Sequence, residues 1–160
     1  MSKPPAPCSK CKGEMSMTVL EPFEGEEEGV RLTIQAMPCV ECAQQHKRFI
    51  NLAFAGDLLD LMMSPGTFRN VPAATKKGFF SKRYHCPDCA AELPEAPTGE
   101  QSQEVAAELK NAQPFRVAVR FPVYKCGGCG GECIRSVEDA AKLAFKATGH
   151  AFRSIDIHPT

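Results

Sequence analysis

The hydrophobic pattern divides the chain into two similar stretches. Apolar and β-branched residues alternate with polar ones in "MSMTVLEPF" (15–23) and in "GVRLTIQAMPC" (29–39), on either side of the tip "EGEEEG". This pattern predicts a β-hairpin whose second strand ends at Cys39. The segment "FRVAVRFPVYKC" (115–126) alternates in the same way and predicts a strand that ends at Cys126.

A helix is predicted after each of these strands, over 45–64 and over 136–150. Both segments contain Leu-Ala-Phe, at 52–54 and at 143–145. The first is apolar on more than one face, which is typical of a helix buried between other elements, so we expect it in a core shared by both halves. The fold class predicted is α+β, with two tandem strand–strand–helix units.

The second half carries an insertion, "PEAPTGEQSQEVAAELKNAQP" (94–114), which lengthens its hairpin connection. Thr98 and Gln101 have the spacing of a capping box, and Val105, Ala106 and Leu109 lie at helical spacing. The pattern predicts a short helix at the hairpin tip, with a disordered loop as the alternative.

Eight of the nine cysteines fall into four C-x2-C units, two in each half. Two such units supply the four sulfurs of a tetrahedral zinc site, and they predict two zinc ions in a small protein stabilised by metal. The candidate ligands are Cys8, Cys11, Cys39, Cys42, Cys86, Cys89, Cys126 and Cys129. A cross-braced pairing of the units is conceivable, but the repeat of whole units favours sequential pairing, one ion in each half.

Other interpretations of the cysteines and histidines stay open at this point. A rubredoxin-like iron site uses the same four sulfurs, and "YHCPDC" resembles a thioredoxin-type redox motif but lacks the surrounding βαβ pattern. His46 and His85 lie near the cysteines, but both sites already have four sulfurs, so each histidine is expected at the surface or beside a ligand. Cys133 is expected to be a small buried residue.

The length allows one domain or two small units, and small units would each need a staple, which the paired thiols could provide. The repeated pattern favours two units. The division predicted is a flexible segment 1–7, a first unit with its helix over 8–64, a linker over 65–80 and a second unit with its helix over 81–160. The start "MSKPPAP" has no apolar signal region and no stretch is apolar enough to span a membrane, so we expect a cytoplasmic protein. In that reducing compartment, nine cysteines indicate metal or redox chemistry and not structural disulfides.

Charge restricts the choice of partner. Nineteen basic and nineteen acidic residues give a net charge of zero, and they alternate along the chain in blocks. This distribution favours acidic and basic faces that contact each other, and it is less typical of a surface that binds nucleic acid. The nucleic-acid alternative depends on basic segments interleaved with aromatic residues, namely Phe68, Phe79, Phe80, Tyr84, Phe115 and Phe121.

The pairs "CSKC" and "CVEC", and "CPDC" and "CGGC", make both halves resemble zinc ribbons. The first half is also similar to the zinc domain of YgiT/MqsA-type antitoxins, where a C-x2-C followed by Met precedes two strands and a second C-x2-C. The helix-turn-helix half of those proteins has no counterpart here, so their antitoxin role does not carry over.

Zinc ribbons generally bind protein or nucleic acid, and none of the common catalytic motifs occurs in the sequence. We therefore expect a non-enzymatic regulator or adaptor that acts through protein contacts, in an oligomeric state that the sequence leaves open. A nucleic-acid-binding ribbon and an iron electron-transfer protein are the alternatives.

Overall fold

The computed structural model describes residues 4–68, 70–78, 83–110 and 112–158. These residues form an α+β fold with mostly antiparallel sheets, as the sequence predicts. The strands are β1 (Met15–Val19), β2 (Phe23–Glu27), β3 (Val30–Gln35), β4 (Pro38–Cys42), β5 (Lys47–Arg48), β6 (Thr75–Lys77), β7 (Arg83–His85), β8 (Gly99–Ala107), β9 (Phe115–Lys125), β10 (Glu132–Cys133) and β11 (Ile157–His158). The helices are α1 (Phe54–Met63), a 3-10 turn at Pro65–Phe68, and α2 (Val137–Ser154).

The main sheet joins the two halves of the chain. Its order is β10-β9-β3-β2, and β8 also pairs with β9. Strand β3 lies antiparallel to β9, with Leu32 opposite Val119 and Ile34 opposite Val117. A second sheet has the order β1-β4-β5-β11, and β6 and β7 form a separate pair. The predicted boundary between the halves is therefore crossed by strand pairing.

One hydrophobic core lies between the main sheet and the two helices. Strand β9 alternates as predicted, with Val117 and Val119 buried and Arg116 and Arg120 exposed. Phe54 of α1 stacks on Phe115 of β9, with ring centroids 5.8 Å apart. The expectation that the first helix packs in a core shared by both halves is confirmed.

The first hairpin differs from the prediction in its pairing. Strand β1 pairs with β4, placing Met15 opposite Cys42 and Thr18 opposite Cys39. The segment between them forms its own hairpin, β2–β3, which turns at Glu28 and Gly29, both with positive φ. Each of the two apolar stretches beside the glutamate-rich tip contributes to two strands and not to one. The alternation of apolar residues did not show where one strand ends and the next begins.

The first helix is shorter than predicted, since it begins at Phe54 and not near residue 45. Residues 47–48 instead form β5, which pairs with β4 after the chain reverses behind Cys42. Asn51 lies in the turn before the helix, where its side-chain oxygen accepts from the N–H of the N-cap residue Ala53. The second helix is confirmed and extends to Ser154, with Ser136 capping its N-terminus through the N–H of Asp139.

The insertion forms a strand, so the predicted helix over 98–109 is wrong. Nine residues of β8 pair in unbroken register with β9. Glu104 and Glu100 form ion pairs with Arg116 and Arg120 on that neighbour, at 3.0 and 3.9 Å. Long-range pairing with a strand of complementary charge outweighs the weak local preference for a helix.

None of the helices formed by the described residues is long and apolar enough to cross a membrane.

Candidate metal centres

Three of the four C-x2-C units fold into the same short loop. The N–H of the first cysteine donates to the carbonyl five residues later, and its own carbonyl accepts from the N–H four residues later. The first bonds join Cys8 to Gly13, Cys86 to Ala91 and Cys126 to Gly131, at 2.9, 2.8 and 2.8 Å. The fourth residue after each first cysteine has positive φ: Lys12, Ala90 and Gly130. These loops place both sulfurs of a unit on one side of a tight turn.

A related loop follows Cys42, but it ends in histidine. The N–H of Cys42 donates to the carbonyl of His46 at 3.2 Å, and the N–H of Gln45 donates to the carbonyl of Cys42 at 2.9 Å. Gln45 has positive φ, as the equivalent residues of the other loops do. The reversal brings the imidazole of His46 back beside the Cys42 sulfur.

The first candidate centre, the Cys8 site, therefore has three sulfurs and one imidazole nitrogen. The ligand atoms of Cys8, Cys11, Cys42 and His46 all lie within 4.8 Å of one another. His46 Nδ1 is 3.5 Å from Cys8 Sγ and 3.4 Å from Cys42 Sγ, and Cys11 Sγ is 3.7 Å from Cys42 Sγ. A tetrahedral zinc with ordinary bond lengths gives about 3.8 Å between sulfurs and about 3.6 Å between sulfur and nitrogen.

Cys39 does not belong to this site, which corrects the ligand set predicted from spacing. Cys39 and Cys42 both lie within β4, and residues three apart on a strand point to opposite faces. Cys39 is fully buried on the other face, where burial and then the charge of Glu41 raise its pKa to about 11. Its sulfur is therefore not part of the group formed by Cys8, Cys11, Cys42 and His46.

His46 is thus the candidate ligand that sequence reasoning missed. It lies beside the cysteines, as expected, but its Nδ1 also belongs to the group of possible ligand atoms, in the place that the sequence analysis gave to Cys39. A signal was present in the sequence. Turn-forming residues such as Gly, Pro, Ser and Asp lie within or directly after the other three units, "CSKCKG", "CPDC" and "CGGCGG". The unit "CVEC" instead has the β-branched Val40 after its first cysteine, which favours a strand.

The second candidate centre, the Cys86 site, has the four sulfurs that spacing predicts. Cys86, Cys89, Cys126 and Cys129 form one group within 4.8 Å. The Sγ atoms of Cys86 and Cys129 are 3.6 Å apart, and those of Cys89 and Cys126 are 3.3 Å apart. Each group draws its candidate ligands from one half of the chain, so the grouping is sequential and not cross-braced, although Cys39 takes no part in it.

Backbone amides favour the charged form of one thiol in each site. The N–H of Cys11 lowers the pKa of Cys8 from 9.0 to about 6, against an opposing effect of burial. The N–H of Cys129, with the Cys89 thiol beside it, lowers the pKa of Cys126 to about 6. Both thiols are therefore prepared as thiolates at neutral pH, which is the state that binds a metal.

The two sites differ in exposure. Cys8 is fully buried and Cys42 nearly so, whereas Cys89 and Cys129 are exposed. Each site is attached to its own small hydrophobic cluster outside the main core, one with Met15 and Val40, the other with Leu93 and Tyr124. Solvent and competing chelators should therefore reach the Cys86 site more easily.

Cys133 and His85 also stand outside both candidate ligand groups. Cys133 is buried, as predicted, and its thiol lies 3.8 Å from the carbonyl of Tyr124. Burial raises its pKa, with the sulfurs of the Cys86 site adding to the effect. His85 Nδ1 lies 3.2 Å from the carbonyl of Ala90.

Comparisons with protein-family models, with curated proteins and with solved structures find no match to this chain.

Proposed function

We propose that this chain is a non-enzymatic module that binds two structural zinc ions and acts through protein contacts. One observation supports the proposal: each candidate metal site brings together four possible protein ligands on short, hydrogen-bonded loops. A catalytic zinc site keeps one position for water or substrate, whereas a structural site has four protein ligands. The ribbon-like use of two ligand loops per ion agrees with such a role.

Zinc is the metal proposed because of the donor sets. Three thiolates with one imidazole, and four thiolates, are both common structural zinc sets. The histidine distinguishes the Cys8 site from the four-sulfur ligand set of a rubredoxin-like iron centre. The Cys86 site retains that ligand set, so metal analysis of freshly purified protein decides between iron and zinc there.

The described aromatic residues support protein contacts over nucleic-acid binding. Phe68, Phe115 and Phe121 are buried in the core, where they cannot stack on bases. Tyr84 is half-buried and packs against the guanidinium of Arg135, 5.1 Å from the ring centroid. Phe79 and Phe80 lie outside the described residues.

The charge blocks also support this choice, because several basic residues are paired within the molecule. Arg116 and Arg120 pair with Glu104 and Glu100, and Arg83 pairs with Glu92 at 3.7 Å. These exposed pairs add little to stability, but they neutralise the basic surface that a phosphate backbone would need.

A nucleic-acid titration tests the proposal. The zinc-loaded protein is expected to show no binding of labelled single-stranded or duplex oligonucleotides near physiological salt. Replacing Lys76, Lys77 and Arg83 by glutamate should leave that result and both metal ions unchanged. Binding with a dissociation constant below about 1 µM, weakened by salt and lost in the triple variant, would contradict the proposal and favour a nucleic-acid-binding ribbon.

A further inference from the structure

Strand β1 leaves an apolar edge open at the surface. It pairs with β4 along one side, and within the described residues no strand pairs with its other side. Met17 and Val19 are 61% and 54% exposed, and of the described large apolar side chains only Leu52 is more exposed. An open strand edge with apolar side chains is a template for pairing with another strand.

The other described edge strands of three or more residues carry charges, and β1 does not. Charged side chains on an edge strand discourage pairing with another chain. They are present on β2 (Glu24, Glu26, Glu27), on β8 (Glu100, Glu104) and on the β6–β7 pair (Lys76, Lys77, Arg83). Strand β1 has the sequence Met-Ser-Met-Thr-Val, which offers no such protection.

The sequence of β1 is complementary to itself. Apolar and hydroxyl residues alternate symmetrically about Met17, so an antiparallel copy would place Met17 opposite Met17, Met15 opposite Val19, and Ser16 opposite Thr18. The apolar side chains of both copies would share one face and the hydroxyl groups the other. Pairs of this kind stabilise antiparallel strands, and no like charges face each other.

We propose that a second copy of this chain docks on β1, so that two β1 strands pair antiparallel about a two-fold axis at Met17. The sheet β1-β4-β5-β11 then continues from one copy into the other. Two five-residue strands bury much less than the roughly 1,600 Å² of a standard stable interface, so the dimer is weak and forms as concentration rises. A two-fold dimer is the commonest form of self-association.

The Cys8 site supports this surface. Met15 packs with Cys8, Val40 and Cys42 in the small cluster beside that site. The position of strand β1 therefore depends on the Cys8 site, and we expect self-association only when that site holds its metal ion.

Sedimentation equilibrium of the zinc-loaded full chain tests the dimer. Between about 20 µM and about 1 mM, the average mass is expected to rise from that of one chain toward that of two. Met17→Lys places two like charges opposite each other and should raise the dissociation constant at least about tenfold. Leu52→Lys is the matched control, because it removes a more exposed apolar side chain that is not part of β1, and it should leave the dissociation constant unchanged.

The proposal is overturned if the wild-type chain stays monomeric over this range, or if Leu52→Lys weakens association as much as Met17→Lys. Metal content and circular dichroism verify that the variants fold, and Val19→Lys replaces Met17→Lys if the latter loses a metal ion. Amide hydrogen exchange provides a second readout on the wild-type protein. Protection of residues 15–19 should increase with concentration, and unchanged protection would also reject the proposal.

Discussion

Cys42→Ser is expected to reduce the bound zinc from two ions to one, whereas Cys39→Ser is expected to retain both. Cys42 contributes its sulfur to the Cys8 site and lies 3.4 Å from His46 Nδ1. Cys39 lies on the opposite face of the same strand, fully buried, with its pKa raised to about 11. Elemental analysis of the purified variants measures the difference directly.

His46→Ala extends this test to the ligand that spacing alone did not indicate. It should weaken metal binding at the Cys8 site and leave the Cys86 site occupied, because the sites lie in separate clusters. His85→Ala is the matched control, since His85 is also a close sequence neighbour of a candidate ligand, Cys86, but belongs to neither group. The geometry of this site would be contradicted if Cys39→Ser lost a zinc ion while His46→Ala kept both.

Gly25→Ala is expected to destabilise the fold by about 3 kcal/mol, a large effect for one methyl group. Gly25 lies on β2 where α2 crosses the main sheet. A Cβ atom there would be 2.1 Å from the carbonyl oxygen of Ala147 and 2.4 Å from the backbone nitrogen of Ala151. Both contacts are with helix backbone, so the helix itself would have to move away from the sheet.

Gly56→Ala is the matched control for that change. Gly56 lies in α1, and a Cβ atom there would meet nothing within 4 Å. Alanine is favoured over glycine inside a helix, so this variant should gain about 0.5–1 kcal/mol. Guanidinium unfolding of the two zinc-loaded variants should therefore move the midpoints in opposite directions. A Gly25→Ala midpoint equal to that of the wild type would show that α2 does not pack this closely on β2.

Local sequence signals predicted those parts of the fold that depend on short-range order. The alternation of β9 and the position of α2 each follow from a few neighbouring residues. The α+β class follows from them in turn, whereas the sequential grouping of candidate ligands was predicted from the repeat of whole units.

The errors occurred where distant pairing decided the structure. The segment 99–107 forms a strand because β9 offers it a partner with complementary arginines, a fact that its own helical spacing could not reveal. Residues 38–42 likewise form a strand paired with β1, and a strand puts Cys39 and Cys42 on different faces. Counting C-x2-C units gave the number of sites but could not distinguish a unit in a turn from a unit in a strand.

The central claim is that the chain holds two unlike metal sites, one with three thiolates and an imidazole and one with four thiolates. Cadmium-113 NMR of the protein reconstituted with cadmium tests it most directly, because the chemical shift depends on the number of thiolate ligands. We predict two signals of equal intensity, one typical of four sulfur ligands and one at the higher field typical of three sulfurs and one nitrogen, and only the latter should be lost in His46→Ala. Two signals that are both typical of four sulfur ligands would contradict the account, because Cys39 would then be a ligand in place of His46.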